Sequence, residues 1–222
     1  MHLSRGQAPF GPLLEHAHLR SYAKGQTVLY PGDYINYVFV LDDGAVKAHE
    51  YDEQGNQKVL TILSKPQTVF PLVNFDHNKP LVAWFYTALT DIRAYAVPYA
   101  DFQAYLNRPE GAALCRFILR QSVGELQQLM ARLDSLGKSS STRKLVAALQ
   151  YLARRHARRS ASALTSWRRI KFPVSHQLLA DITGLTRESV TIAMHQLRDT
   201  KMVRCPHPAL LEVNRRLLDK HQ

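Results

Sequence analysis

A change of hydrophobic period near Pro109 governs what this chain can fold into. On its N-terminal side, from Ser21 to Val97, short β-rich runs at Thr27 to Tyr30, Tyr37 to Leu41 and Val59 to Leu63 alternate with turn signals at Pro31-Gly32-Asp33, Asp42-Asp43-Gly44 and Gln54-Gly55-Asn56. Strands so closely punctuated predict a small antiparallel β-roll or barrel. On the C-terminal side Cys115, Leu119, Ser122, Leu126, Leu129, Leu133 and Leu136 recur at steps of 4 and 3, which predicts one long helix carrying a heptad seam. Two readings of that seam stand at this point. In the first, Leu119, Ser122, Leu126, Leu129 and Leu133 form a dimer interface with a twin helix; in the second, the helix is buried on its own domain. A second apolar stripe, Leu114, Phe117, Ile118 and Met130, is available to dock on the β-roll and favours the first.

The run Gly137-Lys138-Ser139-Ser140-Ser141-Thr142 joins a helix breaker to several capping residues, so one helix ends there and another begins. The next helix, from about Thr142 to Arg155, places Leu145, Ala148, Leu149 and Leu152 on one face. The expected layout is α+β in three parts: a β-roll sensor over 1–108, a dimerisation helix over 109–136 and a winged helix-turn-helix domain over 137–222. Charge divides along the same line. Residues 1–136 carry 12 Lys+Arg against 13 Asp+Glu, whereas residues 137–222 carry 17 against 5, so the whole net charge of +11 belongs to the last third. A basic surface confined to one small domain suits the phosphates of nucleic acid, where counterion release supplies most of the sequence-independent affinity.

Within that basic third, Val174 to Leu197 reads as two helices hinged at a glycine. Ser175 is placed to cap the first helix, whose Leu178, Leu179 and Ile182 face inward while small Ala180 permits a close helix crossing. Gly184 supplies a permissive backbone for the turn and Leu185 plugs the core. Thr186 caps a second helix, 186–200, buried through Val190, Met194 and Leu197. The opposite face carries Arg187, Glu188, Thr191 and His195. Arginine matches guanine O6 and N7 and glutamate accepts from the cytosine amino group, so this face is the candidate reader of a major groove.

Other function classes find little support. Cys115 and Cys205 lie far apart without CxxC spacing, which argues against a disulfide framework or a sulfur-ligated metal and predicts buried or half-buried thiols. No apolar run approaches the roughly 20 residues of a membrane span, and Met1 to Pro12 lacks signal-peptide character; the expectation is a cytoplasmic protein without a membrane partner. No HExxH, GxSxG or GxxxxGK[ST] occurs, so no enzyme, metal or cofactor is expected. A remaining rival is a β-roll adaptor whose basic tail binds nucleic acid nonspecifically.

With these features in view the chain resembles the CRP/FNR superfamily of bacterial transcription regulators. The resemblance rests on Ile182 to Val190, the long helix, Pro31-Gly32-Asp33 and Asp43-Gly44. It implies double-stranded DNA as partner, a homodimer on a palindromic site, and RNA polymerase as a further partner of activating members. By the resemblance, Arg187 and Glu188 read bases, with Thr191 as a partial substitute in that role. Ser175, His176, Gln177, Thr186 and Ser189 hold phosphates. The chain departs from the cyclic AMP receptor at Ile192, where that protein has a second recognition arginine, so base preference there is expected to differ.

The resemblance also implies a cyclic-nucleotide cassette, and here the chain departs again. Thr68 to Phe75 and Lys79 to Tyr86 replace its carboxylate and, at Val82, its arginine with apolar residues. Losing an arginine fork forfeits about 1.5–3 kcal/mol per charge-assisted hydrogen bond, which makes cyclic AMP an unfavourable effector, and Lys79 is a poorer phosphate clamp. Phe70, Leu72, Val82, Trp84 and Tyr86, with Phe75 and Phe85, line an apolar effector pocket or simply form core. Haem sensing would lean on His49 or His77. The basic run Arg154 to Arg159 and the trio Trp167-Arg168-Arg169 have three readings: phosphate contact, polymerase contact or solvated surface. His207 is expected in a short turn of the wing.

Overall fold

The computed structural model describes residues 9–71, 81–136, 140–157, 166–207 and 210–219. The chain divides into two compact units, residues 1–50 with 60–126 and residues 51–59 with 127–222. Helix α1 (Gly11–Glu15) precedes the strands β1 (His18–Tyr22), β2 (Thr27–Leu29), β3 (Tyr37–Asp43), β4 (Val46–Tyr51), β5 (Gln57–Leu63), β6 (Val69–Phe70), β7 (Phe85–Ala88) and β8 (Ile92–Pro98). They form two four-stranded sheets ordered β1-β8-β3-β6 and β2-β7-β4-β5, the expected antiparallel roll. Helices α2 (Tyr99–Leu106) and α3 (Ala112–Leu136) follow.

Strand composition follows from what covers each face. In β3 the consecutive Val38, Phe39, Val40 and Leu41 are all buried, because Phe10 just before α1, Leu14 and Phe102 from the helices and Val46, Ala48, Tyr86 and Ala88 from the second sheet belong to the same core. A strand enclosed on both sides reads as an unbroken apolar run. Strand β4 alternates instead: Val46 and Ala48 point inward opposite Ala88 and Tyr86, while Lys47 and His49 lie on the other face opposite Thr87 and Phe85. Between β3 and β4 the turn requires Gly44. Its φ is +92°, and a Cβ there would collide with the Asp91 carbonyl and Ile92.

Helix α3 uses its sides differently. Leu114 is fully buried, and Phe117 and Ile118 pack against the β-roll core. One turn on, the Gln121 amide takes both backbone groups of Val69, accepting from its N–H and donating to its C=O at 3.0 Å each. Thr61 donates to Glu125 at 2.8 Å. Elsewhere on the helix Leu119, Leu126 and Leu129 are 63%, 56% and 45% exposed and Ser122 is half-buried; the Leu133 side chain lies outside the described set. Met130, expected on the docked stripe, is exposed. It stands 16 residues from Leu114, which at about 100° per residue is nearly the opposite side of the helix. Both cysteines are exposed as well. Cys115 follows buried Leu114 onto the outer side of α3, and Cys205 sits on a strand at the edge of its sheet, so the expectation of buried thiols does not hold.

In the second unit α4 (Ser141–His156) is followed by β9 (Trp167–Arg169), α5 (His176–Thr183), α6 (Arg187–Asp199), β10 (Val203–His207), β11 (Leu210–Asn214) and α7 (Arg215–Asp219). The sheet order is β10-β11-β9. Leu145, Leu149 and Leu152 of α4 are fully buried in the same unit as Leu179 of α5 and Val190 and Met194 of α6. His207 closes β10, paired with Leu210, so it belongs to the wing strand and not to the turn. Trp167, Arg168 and Arg169 form the strand β9. Among the described residues no helix is long and apolar enough to cross a membrane.

Candidate nucleic-acid interface

The two-helix turn forms because each end is closed by a local hydrogen bond. The Ser175 hydroxyl oxygen accepts from Leu178 N–H at 3.0 Å, capping α5, and the Thr186 hydroxyl oxygen accepts from Ser189 N–H at 3.2 Å, capping α6. Between them Gly184 adopts φ +68° and donates its N–H to the Ala180 carbonyl at 2.8 Å. Nothing lies within contact distance of a Cβ at this glycine, so the cost of a side chain is confined to the backbone. Gly184→Ala is expected to lower stability by about 1 kcal/mol, read as a fall in the denaturation midpoint with DNA recognition retained in the folded fraction. An unchanged midpoint would mean that the turn does not need its left-handed residue.

Helix α6 buries Val190, Ala193, Met194 and Leu197 and leaves Arg187, Glu188 and His195 exposed. Leu185, read as the core plug, is half-buried. Thr191 is spent internally. Its hydroxyl donates to the Arg187 carbonyl at 2.9 Å and lies 2.8 Å from His176 Nδ1, so the imidazole is the donor in that second bond. Thr191 is left with one lone pair and its methyl for any base edge. Burial, then the neighbouring charges of Arg198, Arg187 and His195, lowers the His176 pKa, which keeps the ring neutral near pH 7 with Nε2 as an acceptor.

The hydroxyl inventory sorts the phosphate candidates. Ser175 uses a lone pair in its cap, so its proton remains available. Thr186 gives its own proton to Ser189 Oγ at 3.0 Å, which leaves Ser189 the proton to offer. Gln177 donates to Asp181 at 2.7 Å. Both helix starts also present backbone N–H groups with a positive dipole end, a ready site for phosphate.

Sequence reasoning missed the wing's organising residue. Glu212 on β11 is buried and accepts from Arg169 Nε at 2.8 Å and from Arg204 Nε and Nη2 at 2.7 and 2.6 Å. Burial alone would raise its pKa, but the two arginines more than offset this and hold it below the usual carboxylate range. Arg204 also stacks on Trp167, 4.3 Å from the ring centre. The basic run is engaged within its own domain too. Arg154 donates to the Leu218 carbonyl at 2.9 Å, and burial lowers the Arg155 pKa. Arg158 and Arg159 lie outside the described residues.

The sensor candidates are gathered in the roll, mostly as core. Phe70 stacks between Phe39 and Tyr86, at 5.4 and 5.6 Å, and Val82 is buried beside them. Trp84 and Phe85 are half-buried; Leu72, Phe75, His77 and Lys79 lie outside the described residues. His49 is buried and its Nε2 is engaged by Thr87, 2.9 Å from Oγ1.

Residues 19–108 match the cyclic nucleotide-binding domain family and residues 143–218 the Crp-like helix-turn-helix domain family. The chain is similar to the Global nitrogen regulator of Synechococcus elongatus, at 26% identity over 83% of this chain and 81% of that protein. It shares its fold with FixK2 of Bradyrhizobium japonicum, with TM-score 0.73, 21% identity, and coverage of 91% and 95%. The same holds for CLP, a c-di-GMP responsive global regulator of Xanthomonas campestris, with TM-score 0.72, 18% identity, and coverage of 90% and 95%.

Proposed function

Since the chain belongs to the CRP/FNR superfamily of DNA-binding transcription regulators, we propose that it acts as a homodimer on a palindromic operator, with α6 of each protomer in major grooves about 34 Å apart. The observation that carries this reading is the exposure of Arg187 and Glu188 on the first turn of α6. Arg187 reads guanine and Glu188 a cytosine amino group, while Ser175, Ser189 and the two helix starts hold phosphates. The internal bonds of His176 and Thr186 leave their side chains only acceptors, so a phosphate contact there falls to the backbone N–H groups of the helix starts, while Gln177 offers its second amide proton. The leucines exposed along α3 support a helix-to-helix dimer seam. Control is by an effector other than cyclic AMP, or by none, a reading supported by the apolar residues that the sequence sets in place of the cassette's carboxylate and, at Val82, its arginine.

Arg187→Ala should lose about 1–3 kcal/mol of discrimination at one half-site position, while Ser175→Ala should weaken cognate and random duplexes alike. Titration of both variants against selected and random DNA at fixed salt checks this. Equal loss on cognate and random DNA for Arg187→Ala would falsify the assignment and favour a nonspecific basic adaptor.

A further inference from the structure

Ile192 is the large apolar side chain that the described residues of 140–219 leave exposed, at 63%. Its place on α6 is specific. At about 100° per residue it lies on one line with Glu188 and His195, opposite the buried Val190, Ala193, Met194 and Leu197. It therefore stands on the crest of the helix, one turn beyond Glu188. A β-branched residue is a poorer helix former than the straight-chain polar alternatives, and one facing water also gains no burial. Both local preferences oppose isoleucine here, and no neighbour within the domain covers it.

We propose that Ile192 reads a thymine by packing on its C5-methyl group in the major groove. The inference rests on α6 being the reading helix. The thymine methyl is the one apolar feature on the major-groove edges of the four bases, and aliphatic side chains recognise it by contact. Thr191 is half-buried on the flank of the helix, with its hydroxyl tied to His176 and the Arg187 carbonyl, whereas Ile192 is exposed on the crest. Each half-site then carries a thymine next to the bases read by Arg187 and Glu188, recognised through its shape and without a hydrogen bond.

Replacing thymidine by deoxyuridine removes that methyl and leaves the base-pairing edge unchanged. Duplexes selected from a random pool by the wild-type protein, resynthesised with single deoxyuridine replacements, are titrated against wild type, Ile192→Ala, Ile192→Val and Thr191→Ser. One half-site position is expected to lose about fourfold in affinity for wild type, the worth of one buried methyl-sized group. That loss should shrink in Ile192→Val, vanish in Ile192→Ala and persist in Thr191→Ser. A sequence-specific complex indifferent to every deoxyuridine replacement overturns the inference alone, as does a methyl effect that survives Ile192→Ala or disappears in Thr191→Ser. Absence of any selected sequence overturns the reading helix as well. Since Ile192 is exposed, its replacement leaves the domain core intact.

Discussion

Leu126→Glu should convert the proposed dimer to a monomer and weaken operator binding at least about 100-fold, the scale of advantage lost when two half-site contacts are no longer linked. In a single protomer Leu126 is 56% exposed and contributes nothing to the core. Its partners in the proposed seam, Leu119 and Leu129, are exposed too, and each leucine buried against a twin helix is worth about 1.5–3 kcal/mol. A glutamate at this position forfeits that burial in both protomers and sets two carboxylates close together in a low-dielectric seam. The protomer should still fold, because the stripe that docks α3 on the roll is on the other side. Light scattering should show the wild type at twice the protomer mass and Leu126→Glu at one, with far-ultraviolet circular dichroism unchanged. A wild-type monomer, or a variant that keeps both mass and affinity, would exclude the seam.

The leucine repeat of α3 was legible because its 3- and 4-residue steps leave a mark in the sequence, and the two-helix turn was legible because its caps and its glycine act on neighbours within four positions. The docked side of α3 was only half legible. Leu114, Phe117 and Ile118 announce it, but Gln121 and Glu125 continue the same stripe as polar residues that find Val69 and Thr61, 52 and 64 positions away. A reading that follows apolar spacing runs past them to Met130 and onto the wrong side. Glu212 was illegible for a similar reason. Its partner Arg169 is 43 positions away on another strand, and only the sheet register brings Arg169 opposite it. In the roll, aromatic content alone does not distinguish a pocket from a stack; the register that sets Phe39 opposite Phe70 makes it a stack.

His49 was weighed as a metal ligand, and its position gives it a different consequence. The ring is 2% exposed, stacks on Phe85 at 5.2 Å with an interplanar angle of 10°, and shares a hydrogen bond with Thr87, which in turn meets Thr27 at 3.1 Å. Burial, and secondarily the charge of Lys47, lowers its pKa from 6.5 to about 4. The folded pKa lies below the unfolded one, so between these values the unfolded chain holds a proton that the folded chain refuses. Stability from this group is complete above about pH 6.5 and is lost as pH falls toward 4, up to about 3 kcal/mol in all. Between pH 7 and pH 5 wild type should lose about 2 kcal/mol more than His49→Gln, a variant that keeps a polar partner for Thr87 and cannot titrate. Urea unfolding of both proteins at pH 7, 6 and 5 isolates the effect, since the other histidines contribute equally to each curve. Parallel stability profiles would mean that the ring takes up its proton in the folded roll, and that Thr87 and Phe85 hold it loosely enough for water to reach it.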